Sequence, residues 1–184
     1  MKEKAFTTLS LGKPWCRAIK LADGQRLLMR PIQASDTTML QQGFLTLTPQ
    51  EIRMRFLHPL TELTAGYAER LCQVDPETEL ALVLVEAKPP RAARIGAVAR
   101  VAVDDNGEEA EFAVIVGREI RRFGLGRYLL EQLTDWCRQK GLKSLYGFIL
   151  RENRPMLNLV ADMGFRLGPS DEDTGVMLAR LPLD

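Results

Sequence analysis

Glu109-Ala110-Glu111-Phe112-Ala113-Val114-Ile115-Val116 leads into Arg121-Arg122-Phe123-Gly124-Leu125-Gly126, and the order of these two stretches decides the fold. The first is β-rich, and Phe112 to Val116 is apolar throughout, the pattern of a central strand covered on both faces. The second is a glycine turn that opens a helix running towards Lys140. Amides at a helix start lack partners and carry the positive end of the helix dipole, so such a turn is an anion site. Glycines let the backbone approach a phosphate closely, and the flanking arginines add charge. Glu111, one strand-length away, supplies a possible base.

Upstream of Glu109, Asp105-Asn106-Gly107 is a tight hairpin signal, so the strand before it is an antiparallel neighbour. That strand spans Ala93 to Asp104, and Glu79 to Ala87 predicts another, with Pro89-Pro90 breaking between them. Nearer the N-terminus, Leu27 to Ile32 reads as a strand, and Ala34-Ser35-Asp36 begins a helix to about Leu45. Thr48-Pro49-Gln50-Glu51 is a helix start with a cap, a first-turn proline and a capping box, and Leu63 to Gln73 is helical. After the glycine-turn helix come a strand (Ser144 to Leu150), a helix (Arg154 to Met163) and a strand pair around Phe165 and Val176 to Leu181. The expectation is a mixed α/β (α+β) domain over residues 21–184, an antiparallel meander followed by one β–α–β unit. Residues 1–20 read as a loosely attached N-terminal extension.

A chain of 184 residues with 46% hydrophobic content is long enough for one domain with a proper core. Net charge is +1, from 25 basic and 24 acidic residues, so nothing draws it globally to nucleic acid or an anionic membrane. Cys16, Cys72 and Cys137 are far apart and odd in number, which argues for free thiols and a cytoplasmic setting. With His58 the only histidine and no Cys-x-x-Cys pair, no metal is expected. Met1 to Thr8 lacks the apolar run of a signal peptide, and no segment has the ~18–20 apolar residues that span a bilayer.

Two phosphate motifs fail. Gly126 is followed by Arg127-Tyr128 where a P-loop needs Lys-Ser/Thr. A dinucleotide fingerprint would need a third glycine where Leu129 stands, and more than one β–α–β unit.

Arg121-x-x-Gly124-x-Gly126 resembles the acetyl-CoA pyrophosphate loop of the GNAT superfamily of N-acetyltransferases. Asn153 to Phe165, with Asn at its start and Gly164-Phe165 at its end, resembles that superfamily's last helix. Pro49 to Thr64, including Arg53-Met54-Arg55-Phe56-Leu57-His58, and Ala110 to Val114 are similar to the acetyltransferase domain of bacterial Pat-type protein lysine acetyltransferases. The resemblance implies a central, mostly antiparallel mixed sheet of about six to seven strands flanked by helices. It implies acetyl-CoA as cosubstrate, its pyrophosphate held by the amides of Arg121, Arg122, Phe123, Gly124, Leu125 and Gly126. The pantetheine arm would pair like an added strand with Val114, Ile115 and Val116. Asn153 would contact the coenzyme or brace the strand ends, and Arg122 or Arg127 would reach phosphate.

The acceptor that this implies is a primary amine, on a protein lysine or a small molecule. A lysine amine has a pKa of ~10.4, so roughly one molecule in a thousand is nucleophilic at neutral pH and a base is needed. Glu111 is that base in the resemblance, and an apolar neighbourhood would raise its pKa into a useful range; alternatively it is a solvated residue near a hairpin end. Many GNAT enzymes carry a tyrosine acid on the last helix, but the matching residue is Val160. Arg53, Arg55 and His58 could line the acceptor entrance or pair with surface carboxylates. The acidic hairpin (Asp104, Asp105, Glu108, Glu109, Glu111) and Asp171-Glu172-Asp173 could draw a cationic amine or be ordinary polar turns. Three activities fit: protein lysine acetylation, small-amine acetylation, and non-catalytic acyl-CoA sensing. The chain would act as a monomer or homodimer.

Overall fold

The computed structural model describes residues 5–184. Its elements, in chain order, begin with strands β1 (Phe6–Ser10), β2 (Arg17–Leu21) and β3 (Arg26–Pro31). Helices α1 (Thr37–Leu45), α2 (Pro49–Phe56) and α3 (Ala65–Cys72) follow, then strands β4 (Glu79–Glu86), β5 (Ile95–Val103) and β6 (Glu109–Val116). Helix α4 (Leu125–Gln139), strand β7 (Ser144–Leu150), helix α5 (Arg154–Asp162) and strands β8 (Arg166–Pro169) and β9 (Val176–Pro182) complete the fold. The strands form one sheet in the order β1-β2-β3-β4-β5-β6-β7-β9-β8. Only β6 and β7 pair in parallel; the other neighbours are antiparallel.

The mixed, mostly antiparallel sheet is as expected, but it has nine strands among the described residues and not six to seven. The extra strands come from the segment read as a loose lead-in. Residues 6–10 and 17–21 pair as a hairpin and extend the sheet through β2 to β3. Ile19 and Leu21 of β2 are buried, so this segment contributes core as well as edge. Residues 1–4 of the expected extension lie outside the described residues.

Local signals elsewhere explain themselves. Thr48 accepts from the Glu51 amide while the Glu51 carboxylate accepts from the Thr48 amide, closing the capping box that starts α2. Gly107 takes φ +71°, which the tight β5–β6 turn requires. Helix α4 buries Leu125, Leu129, Leu130, Leu133, Trp136 and Cys137 on one sheet face, within the main core. Helices α1 to α3 cover the opposite face, where Val83, Val98 and Ile115 pack with Ile32 and Cys72.

The feature that makes a site is the junction of β6 and β7. They pair only over Glu109–Ser144, Ala110–Leu145 and Glu111–Tyr146. The next pair would be Phe112 with Gly147, but the Phe112 ring lies over Gly147, where a Cβ would meet it at 2.6 Å. Phe112 also stacks edge-on against Phe165, with ring centroids 5.5 Å apart. The ring thus covers Gly147 on the sheet face where a Cβ would stand. Beyond Glu111, β7 continues along β9 while the β7-facing edge of β6 is left open.

Candidate active site

The open edge of β6 forms one wall of a cleft of about 440 Å³. Val114, Ile115 and Val116 line it from the strand, Arg121, Gly124, Gly126 and Arg127 from the turn and α4, and Asn153 from the start of α5. Gly124 sits at φ +80°, the left-handed conformation that redirects the chain into α4. Among the described residues, the amides of Gly124, Leu125, Gly126 and Arg127 donate to no backbone carbonyl. Four free donors, the helix dipole and two arginines at one end of the cleft fit a polyphosphate.

Not every residue of the expected loop reaches the cleft. Phe123 and Leu125 turn their side chains into the core and could contribute only backbone. Arg122 points elsewhere, 3.3 Å from Asp23 and stacked over Phe123. Of the two arginines considered for phosphate, Arg127 lines the cleft and Arg122 does not. Asn153 accepts from the Met156 amide at 3.3 Å and so caps α5, with Pro155 in the first turn.

A second pocket of about 210 Å³ continues the cleft towards Glu111, sharing Met54, Arg55, Val114, Asn153 and Met156 with it. Tyr67, His58 and Phe148 complete its wall. Register places Glu111 opposite Ala102, and Arg100 opposite Ala113, so Glu111 and Arg100 share the sheet face covered by α1 to α3.

The hairpin carboxylates separate cleanly. Glu109 is bound by Arg180 and accepts from Ser144 at 2.7 Å, Glu108 pairs with Lys143 at 2.5 Å, and Asp104 accepts the Tyr146 hydroxyl at 2.8 Å. Glu111 accepts no hydrogen bond among the described residues and stays open to the pocket. Burial of its inner side raises its pKa, the Asp104 charge raises it further, and Arg55 opposes both. Burial, then the Asp104 hydrogen bond, also hold the Tyr146 hydroxyl protonated well beyond the usual range. The Asp171-Glu172-Asp173 turn binds itself through Asp173 and the Gly175 amide at 2.8 Å and lies outside the pocket.

Arg53 pairs with Glu152 at the surface, whereas Arg55 and His58 line the pocket beside Glu111. Val160 is fully buried and has no access to the site. Two residues that line these spaces escape sequence reasoning. Glu51, which reads only as a cap, also pairs with Arg118 at 2.7 Å and Arg121 at 3.0 Å. Arg100 is the one charge in the apolar run of β5, and that oddity is the signal that could have marked it.

The family model described as an acetyltransferase (GNAT) domain matches residues 26–166. The chain is 25% identical over 182 residues to an acetyltransferase of Pseudomonas aeruginosa, covering 99% of this chain and 96% of that protein. Among solved structures, the GNAT domain of S. lividans PAT is similar at TM-score 0.81 and 23% identity, over 95% of this chain and all 100% of that one. A spermidine N-acetyltransferase from Vibrio cholerae, solved with CoA and spermine, is similar at TM-score 0.68 and 17% identity, over 85% of this chain and 95% of that one. With a glycine turn, an open strand edge and a family match across most of its length, the chain belongs to the GNAT family of acetyltransferases.

Proposed function

We propose that this acetyltransferase moves acetyl from acetyl-CoA to a primary amine, most readily a protein lysine side chain, with Glu111 as general base. One observation carries the reading: Glu111 is the last residue of the β6–β7 pairing, and the open edge beyond it runs to the free amides at the start of α4. A coenzyme whose phosphates sit on Gly124, Leu125, Gly126, Arg121 and Arg127 would lay its arm along Val114, Ile115 and Val116. Its bound thioester would supply the activated acetyl group at the Glu111 end.

The residues then have distinct tasks. The pocket between α2 and β6 admits the amine, and the Glu111 carboxylate takes a proton from its nitrogen so that the lone pair becomes available. A raised carboxyl pKa makes Glu111 a stronger base than a solvated glutamate. Tyr146 holds its proton against Asp104, and Val160 has no proton to give, so neither acts as the acid. The leaving thiolate needs none, because a thiol is a tolerable leaving group.

Acceptor choice rests on the Pat-type character of residues 49–64 and the full-length likeness to the PAT GNAT domain. A small amine is the second reading, favoured by the fold likeness to the spermidine enzyme. Thiol release from acetyl-CoA, measured against lysine-containing proteins and against spermidine, separates the two. Turnover on protein with none on spermidine supports the first reading and the reverse result the second. CoA binding with no turnover on any amine would make the domain an acyl-CoA sensor.

A further inference from the structure

Arg55 is the anomaly of the site. It projects from α2 where three spaces meet: the coenzyme cleft, the acceptor pocket, and an apolar chamber of about 90 Å³ under α1 to α3. The neighbouring arginines are occupied. Arg53 pairs with Glu152, Arg118 and Arg121 with Glu51, and Arg100 donates to the Leu71 carbonyl at 2.7 Å. Among the described residues, the Arg55 guanidinium makes no hydrogen bond and no ion pair; it only lies over the Phe56 ring, 4.8 Å from its centroid.

Its surroundings make that position costly. Burial, and then the like charge of Arg100, push the Arg55 pKa down to about 10. Arg100 shares the chamber wall with Arg55 and is itself destabilised as a cation by burial. Glu111 faces the same pocket as a single carboxylate, without a hydrogen bond to either arginine. A guanidinium has five N–H donors in a planar fork that matches a carboxylate, and a partly buried one without acceptors is poorly compensated. Glu79 acts on Arg100 and Glu111 on Arg55 only at a distance, so the Arg55 fork lacks a carboxylate in contact, and a substrate that carries one would supply it.

We propose that Arg55 is a specificity-determining residue that takes a carboxylate borne by the substrates in a two-point fork, at the junction of the coenzyme cleft and the acceptor pocket. That carboxylate belongs either to the distal end of a dicarboxylic acyl group on the coenzyme, extending into the chamber, or to the amine acceptor itself. The inference rests on the coenzyme site placed above, but not on the role of Glu111.

Calorimetric binding tests it without turnover. Wild type is titrated with succinyl-CoA and acetyl-CoA, and the CoA-saturated protein with lysine and with cadaverine, the same carbon chain without the carboxylate. In one of the two pairs the carboxylate ligand should bind about tenfold tighter, as expected of a charge-assisted fork. Arg55→Gln should cut that preference to about twofold or less, and Arg55→Lys should restore part of it, a point charge keeping attraction but not the fork. A preference in the first pair assigns the acyl group, and in the second the acceptor. Equal binding within both pairs by wild type overturns the proposal even if the variants fail to fold, as does a preference that survives Arg55→Gln. If no CoA species binds wild type at all, the coenzyme site falls together with the inference; if they bind without preference, the inference alone falls.

Discussion

Arg121 Nη2 lies 3.0 Å from Glu51 Oε2, so the arginine at the glycine-turn end of the cleft is held by a carboxylate from α2. Arg118 holds the other oxygen of Glu51 at 2.7 Å, and the Thr48 amide donates to it as well. Burial works against the charge, but these hydrogen bonds win and hold the Glu51 carboxyl at about 2. A phosphate arriving at Arg121 must therefore compete with Glu51.

Replacing Glu51 separates stability from affinity. Glu51→Gln keeps the capping box, since a glutamine amide oxygen still accepts from the Thr48 amide. It removes both ion pairs, which should cost about 1 kcal/mol of stability by denaturant unfolding. The same change frees Arg121, so CoA should bind several-fold tighter by calorimetry. Because the folded carboxyl titrates near 2, below the ordinary glutamate value, this stabilisation is fully present above that ordinary value. It should fade as pH falls from about 4.5 towards 2.

The two cleft glycines should respond differently. Gly124 needs φ +80°, so Gly124→Ala should lose about 1 kcal/mol of stability and distort the turn. At Gly126 a new Cβ would make ordinary contacts with Leu159 at 3.6 Å and Val116 at 3.7 Å. Gly126→Ala should therefore keep the melting temperature of wild type, while its methyl group in the cleft weakens CoA binding. Thermal unfolding and calorimetry on both variants read the contrast.

Gly147 tests the close packing at the β6–β7 junction. An added Cβ there would meet the Phe112 ring at 2.6 Å. Gly147→Ala should cost about 1–3 kcal/mol, the range of overpacked cores. Gly147→Ala combined with Phe112→Leu should recover part of that loss, since the ring is the obstacle.

The Glu111 titration gives a pH test. A base works deprotonated, so kcat/KM should rise through its pKa, with the acid limb above the ordinary glutamate value. Asp104→Asn should move that limb down and Arg55→Met should move it up, following the two charges that act on it. A raised folded pKa also means that ionising Glu111 costs stability as pH climbs through that range. Glu111→Gln should then melt higher than wild type at neutral pH, with the gap closing below the ordinary value.

Much of this was legible in the sequence because the signals are local. The Asp105-Asn106-Gly107 turn fixes β5 against β6, Thr48 and Glu51 fix the start of α2, and the glycines of the 121–126 stretch mark the turn into α4. What the sequence hid depends on long-range pairing. Residues 6–10 and 17–21 are short, only half apolar, and become strands by pairing with each other and with the edge that β3 offers. The contacts of Arg121 with Glu51, 70 positions away, and the meeting of Arg55 with Arg100 arise from helices laid across the sheet and have no local pattern. Arg122 and Arg127 are equivalent in a motif and differ only in which way the turn aims them.

The most direct test is steady-state thiol release from acetyl-CoA by wild type and Glu111→Gln, with CoA affinity measured on both. The account predicts that turnover falls by about 10²–10⁴-fold in Glu111→Gln while CoA affinity stays within about twofold of wild type. Turnover within a few-fold of wild type, with CoA still bound, would contradict it and remove Glu111 from the reaction.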